Sequence, residues 1–191
     1  SYAAVPTRAA ALYAVDVPPA GGDTLFANMY AAYAALSPTM KAIIEPLHAV
    51  HDILHYALSS GHHSLATTQQ IDMIRQMRAK FPQVEHPVVC RHPDSGRPYL
   101  FVNPCWVTGI RGLTTDESRP LLEFLSAHAT KPEFQCRLHW ENGTVGIWDN
   151  RVVLHSPIGD HVGRRAMLRV AIGADEPPLP YRARPDTAVA A

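Results

Sequence analysis

The stretch 146–172, GIWDNRVVLHSPIGDHVGRRAMLRVAI, decides how this chain is read. An apolar, strand-like run ends in a polar turn and places His155, and arginines follow at Arg164, Arg165 and Arg169. An imidazole is a metal ligand, and a planar guanidinium donates two parallel hydrogen bonds to a carboxylate or sulfonate. Arg165 and Arg169 are four apart, so on a strand they point to one face. Two cations facing one way are costly unless an acid neutralises them. The stretch therefore pairs one metal ligand with two anion grips on neighbouring strands. Taken alone, His155 also fits a half-buried surface histidine, and the arginines also fit surface salt bridges. One histidine cannot hold a catalytic metal, so the source of further ligands becomes the central question.

Working outward, 191 residues with 47% hydrophobic and 18% charged content suit one ordinary domain with a proper core. The formal net charge is zero, which excludes nucleic acid or an anionic membrane as the expected partner. Cys90, Cys105 and Cys136 have no CxxC spacing and read as reduced, buried thiols of a cytoplasmic protein. No run approaches the length of a membrane span, and no leader pattern opens the chain.

Seventeen prolines break the chain into short elements. Strands are expected over 9–17, 24–28 and 47–54. Helices are expected over 29–36 and, after the cap Ser37-Pro38, to about Glu45. The region 55–84 reads as a lid or insertion, with Ile71, Ile74 and Met77 at helical spacing. HPVVCRH and PYLFVN flank the turn Pro93-Asp94-Ser95-Gly96 and predict a hairpin. Thr114 and Glu117 resemble a capping box, although Pro120 suggests a helix start nearer Ser118. Strands follow over 134–140, 144–148 and 165–172, the first two joined by Glu141-Asn142-Gly143. His155 is expected just after a strand and turn, and the tail beyond Ala174 is expected to be loose. Short strands with few helices imply a sandwich or barrel-like jelly roll.

A rival metal site is His51-Asp52-Ile53-Leu54-His55, where a helix would put both histidines on one face as in a zinc hydrolase. His92-Pro93-Asp94 fits a bare His-x-Asp pattern but sits in a tight turn. Cys105 has no nearby base pattern and reads as a packing residue.

WDNRVVLH followed by RRAMLR, with GGDTLFANMYAAYAALSP and HPVVCRHPDSGRPYLFVN in the same order, resembles the taurine dioxygenase-like family. Its members are iron(II)- and 2-oxoglutarate-dependent oxygenases acting on taurine, alkyl sulfate esters and phenoxyalkanoates. The resemblance implies a mainly β chain with flanking helices around a double-stranded β-helix (jelly-roll) core. It makes residues 1–178 the C-terminal two thirds of one domain and 179–191 a flexible tail. By resemblance His155 is an iron ligand, Thr24 and Arg165 hold 2-oxoglutarate, and Arg169 grips the acidic group of the substrate. Trp106 and Tyr56 fall at pocket positions, and Trp148, Asp149 and Asn150 shape the turn that aims His155. The family's other two iron ligands, a His-x-Asp/Glu pair, would precede Ser1, so the chain alone is expected to bind iron weakly. At Tyr56-Ala57 taurine oxidisers carry serine and phenylalanine, so the resemblance does not fix the substrate. The implied reaction hydroxylates a small anionic substrate with O2, releasing succinate and carbon dioxide, and homo-oligomerisation is left open. The alternative is a jelly-roll module that binds small anions or oligomerises without catalysis.

Overall fold

The computed structural model describes residues 1–55 and 68–182. The sequence AAALYAVD forms β1 (Ala9–Asp16), with Ala10 and Ala14 buried and Tyr13 and Val15 exposed, as a period of two requires. β1 pairs antiparallel with β9 (Val145–Asp149) on one side and β11 (Ala166–Ile172) on the other. Ala10 lies opposite Trp148 and Ala171, and Leu12 lies opposite Gly146 and Arg169. The small Ala10 on the inner face of β1 thus leaves room for the bulky Trp148, while Gly146 across from Leu12 leaves room beside Trp140. The outer face of this sheet is apolar as well, with Val145, Ile147, Leu168 and Val170 exposed.

β2 (Thr24–Asn28) lies between β8 (Gln135–Leu138) and β10 (Val153–Pro157), again antiparallel. Trp148 bridges the two sheets, its ring 5.2 Å from that of Phe26 and 4.9 Å from that of His155. The sheets therefore face each other as the layers of a jelly roll, and neither closes into a barrel.

A second layer supports this pair. β5 (Val89–Arg91) and β6 (Pro98–Leu100) form the expected hairpin, extended by β12 (Leu179–Pro180). β3 (His48–His51) lies between β4 (Val84–Pro87) and β7 (Val107–Ile110). The helices are α1 (Met29–Ala34), α2 (Pro38–Ile44), α3 (Thr68–Lys80) and α4 (Thr115–Ala129). Val88, Leu100, Ile110, Leu125 and Tyr33 meet in one continuous core. At about 25 cal/mol per Å² such burial is the main source of stability.

Several expectations are corrected. α4 begins at Thr115, not near Ser118, because the Thr114–Glu117 capping box is complete and outweighs Pro120. The turn at 141–143 does not close a hairpin. Gly143 (φ 91°) instead carries the chain from β8 in one sheet to β9 in the other. His155 follows β9 and the turn at 150–152, as expected, but is itself part of a further strand, β10. Residue 179 is not loose, since β12 pairs with β5 and Tyr181 packs edge-on against Tyr33. Cys90 is buried as expected, but Cys105 and Cys136 are exposed, and all three are free thiols.

Candidate active site

His155 sits opposite Phe26 and Pro157 opposite Thr24, so these side chains share one face of the β10–β2–β8 sheet. That face looks toward Trp148 and Arg169 of the other sheet. Burial, assisted by the positive charge of Arg169, holds the His155 imidazole below its ordinary pKa. Its Nδ1 is enclosed and makes no hydrogen bond of ordinary geometry among the described residues, while the nearby Val153 carbonyl weakly opposes the shift. The turn preceding β10 is rigid. Asp149 accepts from the Arg151 backbone at 2.8 Å and from Arg151 Nη2 at 2.6 Å, and it bonds His92 Nε2 at 3.1 Å. Trp148 Nε1 donates to Asn150 Oδ1 at 2.7 Å. These bonds aim His155, and they account for His92-Pro93-Asp94 as structure rather than a metal motif.

A cavity of about 1230 Å³ opens beside His155. Arg169, Trp106, Tyr2, Tyr99 and Asn103 are among its walls. Tyr2 and Trp106 pack together with ring centroids 5.0 Å apart and planes tilted by 55°. Among the described residues Arg169 forms no salt bridge or hydrogen bond, so a guanidinium stands in the cavity without a carboxylate partner.

Thr24 and Arg165 lie at one end of the sheet pair. Gly21 and Gly22 both have positive φ, 76° and 71°, which lets the loop before Thr24 run against residues 160–165. Arg165 Nε donates to the Gly22 carbonyl at 3.2 Å, and Asp160 Oδ1 accepts from the Gly22 amide at 2.8 Å. Its terminal guanidinium nitrogens have no acid partner among the described residues. Arg165 precedes β11 rather than lying in it, so it faces the loop while Arg169 faces the cavity. Arg164 forms a surface ion pair with Asp16 at 3.6 Å. Asp23 is buried, and hydrogen bonds from Arg137 and then His139 hold its carboxyl below the usual range. Thr24 is buried and its Oγ1 accepts from Trp140 Nε1 at 3.0 Å. Trp140, Asp160 and Asp23 were missed from sequence. The glycine pair of GGDT, which signals a close backbone approach, was the available hint.

The structure therefore gathers His155, Arg169 and Trp106 at the cavity and Thr24 with Arg165 at the adjoining loop. Tyr56 lies outside the described residues. The zinc alternative fails on geometry: His51 ends a strand and packs against His86 and Phe101, so it shares no helical face with His55. A metal ligand must present a neutral imidazole, and His155 does so at an enclosed position. Among the described residues no three His, Cys, Asp or Glu side chains converge, so they hold no complete metal site. No helix among them is long and apolar enough to cross a membrane.

Known proteins resemble this chain in sequence and fold. The chain is 40% identical over 169 residues to the alpha-ketoglutarate-dependent 2,4-dichlorophenoxyacetate dioxygenase of Cupriavidus pinatubonensis, covering 88% of this chain and 56% of that protein. It is 33% identical over 178 residues to the alpha-ketoglutarate-dependent sulfate ester dioxygenase of Pseudomonas putida, covering 90% and 56%. The chain spans about half the length of the curated relatives it matches. The crystal structure of AAD-2 in complex with Mn(II) and N-oxalylglycine superposes with a TM-score of 0.80 at 32% identity, covering 93% of this chain and 67% of that one. The model of the taurine catabolism dioxygenase TauD, TfdA family matches residues 1–171, and to that family the chain belongs.

Proposed function

We propose that this chain supplies part of the active site of an Fe(II)- and 2-oxoglutarate-dependent dioxygenase. Its substrate is a small organic acid: a sulfonate, a sulfate ester, or an aryloxy or alkyl carboxylate. The observation that carries the proposal is a pair of arginines without acid partners on either side of a neutral, enclosed histidine. A guanidinium fork left without an acid partner is suited to take a carboxylate or sulfonate by paired, charge-assisted hydrogen bonds.

In this reading His155 is one iron ligand. An iron held there would, with 2-oxoglutarate and O2, supply the oxidising chemistry, with succinate and carbon dioxide as co-products. The protein's own groups supply placement. Arg165 and Thr24 hold the carboxylate of 2-oxoglutarate farthest from the metal. Arg169 pairs with the acidic group of the substrate and so selects which carbon faces the metal. Trp106, with Tyr2 packed at a tilt against it, walls the cavity and excludes water from the substrate side. Tyr56 is assigned to the same pocket from the sequence resemblance. Residues 1–178 form the C-terminal two thirds of one oxygenase domain, and β12 fastens the start of the segment that follows to β5. Reduced thiols suit the cytoplasm, and nothing in the charge distribution calls for nucleic acid or membrane.

The test is substrate-dependent succinate formation by the full protein with Fe(II) and 2-oxoglutarate, across sulfonates, sulfate esters and aryloxy acids. One active class is expected. Binding of 2-oxoglutarate without turnover of any acid would select the anion-binding module instead.

A further inference from the structure

We propose that Trp140 is a positioning residue for 2-oxoglutarate, acting through the hydroxyl of Thr24. The inference rests on the reading of Thr24 and Arg165 as the co-substrate clamp. An indole N–H can only donate, so in the 3.0 Å bond between Trp140 Nε1 and Thr24 Oγ1 the hydroxyl must accept. The proton of that hydroxyl is then left to be donated elsewhere, and no described residue accepts it. Thr24 and Trp140 are only 3% and 2% exposed, so bulk water does not freely supply the missing partner. A buried donor without an acceptor is a cost that an incoming carboxylate oxygen removes.

The orientation is fixed from behind. Trp140 directly precedes the 141–144 turn, which is bound to β1 through Gly143 N to Ala14 O (2.8 Å) and Ala14 N to Thr144 O (2.9 Å). On the other side, a Cβ at Gly146 would stand 2.7 Å from Trp140 Cη2, so the glycine leaves the indole just enough room. Threonine is stiff at χ1, so its remaining freedom is rotation of the hydroxyl hydrogen, and the indole settles that. Without the indole N–H, the hydroxyl can spend its proton in other directions and the clamp loses a preset donor.

The experiment is anaerobic calorimetry of the full protein with Mn(II) and 2-oxoglutarate, comparing wild type, Trp140→Phe, Thr24→Val and the double variant. Trp140→Phe is expected to weaken 2-oxoglutarate binding about tenfold, Thr24→Val at least as much, and the double variant no more than Thr24→Val alone. Unchanged affinity in Trp140→Phe, or losses that multiply in the double variant, would overturn the role. If Trp140→Phe does not fold, site-specific β-(3-benzothienyl)alanine at position 140 removes the N–H at constant ring size, with the same expectation. Wild type that fails to bind 2-oxoglutarate would sink the clamp itself and this inference with it. Wild type that binds alongside an unaffected Trp140→Phe would sink the inference alone.

Discussion

Arg165 and Arg169 carry the same guanidinium in different company. Arg165 is tied by Nε to the Gly22 carbonyl, which leaves its terminal fork for a ligand, whereas Arg169 rises from mid-strand into the cavity. Their substitutions should separate. Arg165→Ala is expected to raise the KM for 2-oxoglutarate about a hundredfold, since a lost charge-assisted fork costs roughly 2–3 kcal/mol. Arg169→Ala should lower kcat/KM for the acidic substrate by a similar factor while leaving substrate-independent succinate release within about twofold. Equal loss of both activities in Arg169→Ala would remove its assignment to the substrate. These arginines and His155 stood out in the sequence because charged groups in an apolar strand pattern are conspicuous. Trp140 and Asp160 did not, because their partners Thr24 and Gly22 lie 116 and 138 positions away, and no local pattern spans such distances.

At the scale of elements, the loop before β2 and the end of α4 give the sharpest expectations. A Cβ at Gly21 would lie 2.9 Å from the Asp160 carbonyl and the His161 Cα, on top of a φ of 76°. Gly21→Ala should therefore destabilise the protein by roughly 1–3 kcal/mol, read as a lowered urea midpoint. Thr114→Ala removes the hydroxyl that accepts from Glu117 N, leaving only the backbone half of the capping box, and should cost about 1 kcal/mol in the same assay. Caps and hairpin turns were legible because their chemistry is local. The inward face of β11 was harder. MLRVAI is apolar on both sides, so alternation alone cannot separate inside from outside, and the register with β1 settles it. The split of β8 and β9 between two sheets was hidden for the same reason: a glycine turn reads alike whether or not its strands pair.

For the whole molecule, the buried histidines under the first residues make stability depend on acid. His51 is fully buried, and burial first, then the charge of neighbouring His86, pushes its pKa down to about 3 from 6.5. His86 is lowered as well, chiefly by burial. The unfolded chain therefore binds more protons than the folded one between pH 6.5 and about 3. Stability is complete above that window and falls as the pH drops through it, by an amount on the order of 5 kcal/mol for His51. Urea titrations across this range should show the loss, and His51→Leu should flatten it. A wild-type midpoint that stays constant down to pH 4 would contradict the assignment. The mainly β class and the jelly-roll pairing were legible from proline spacing and family motifs. The burial of His51 was not, because its packing against His86 and Phe101 depends on sheet β4–β3–β7 bringing distant segments together.

The loop carrying Gly21 and Gly22 has a kinetic consequence. Asp160 holds the Gly22 amide, Ile158 N donates to the Asp23 carbonyl at 2.8 Å, and Arg137 reaches both Asp23 and Asp160. Two segments joined this densely do not hinge apart, so under the proposed clamp 2-oxoglutarate meets a finished receptor. Its association rate is then set by diffusional access to the loop rather than by any closing motion. The amides of Gly22 and Ile158 should accordingly exchange with deuterium slowly even before a ligand binds.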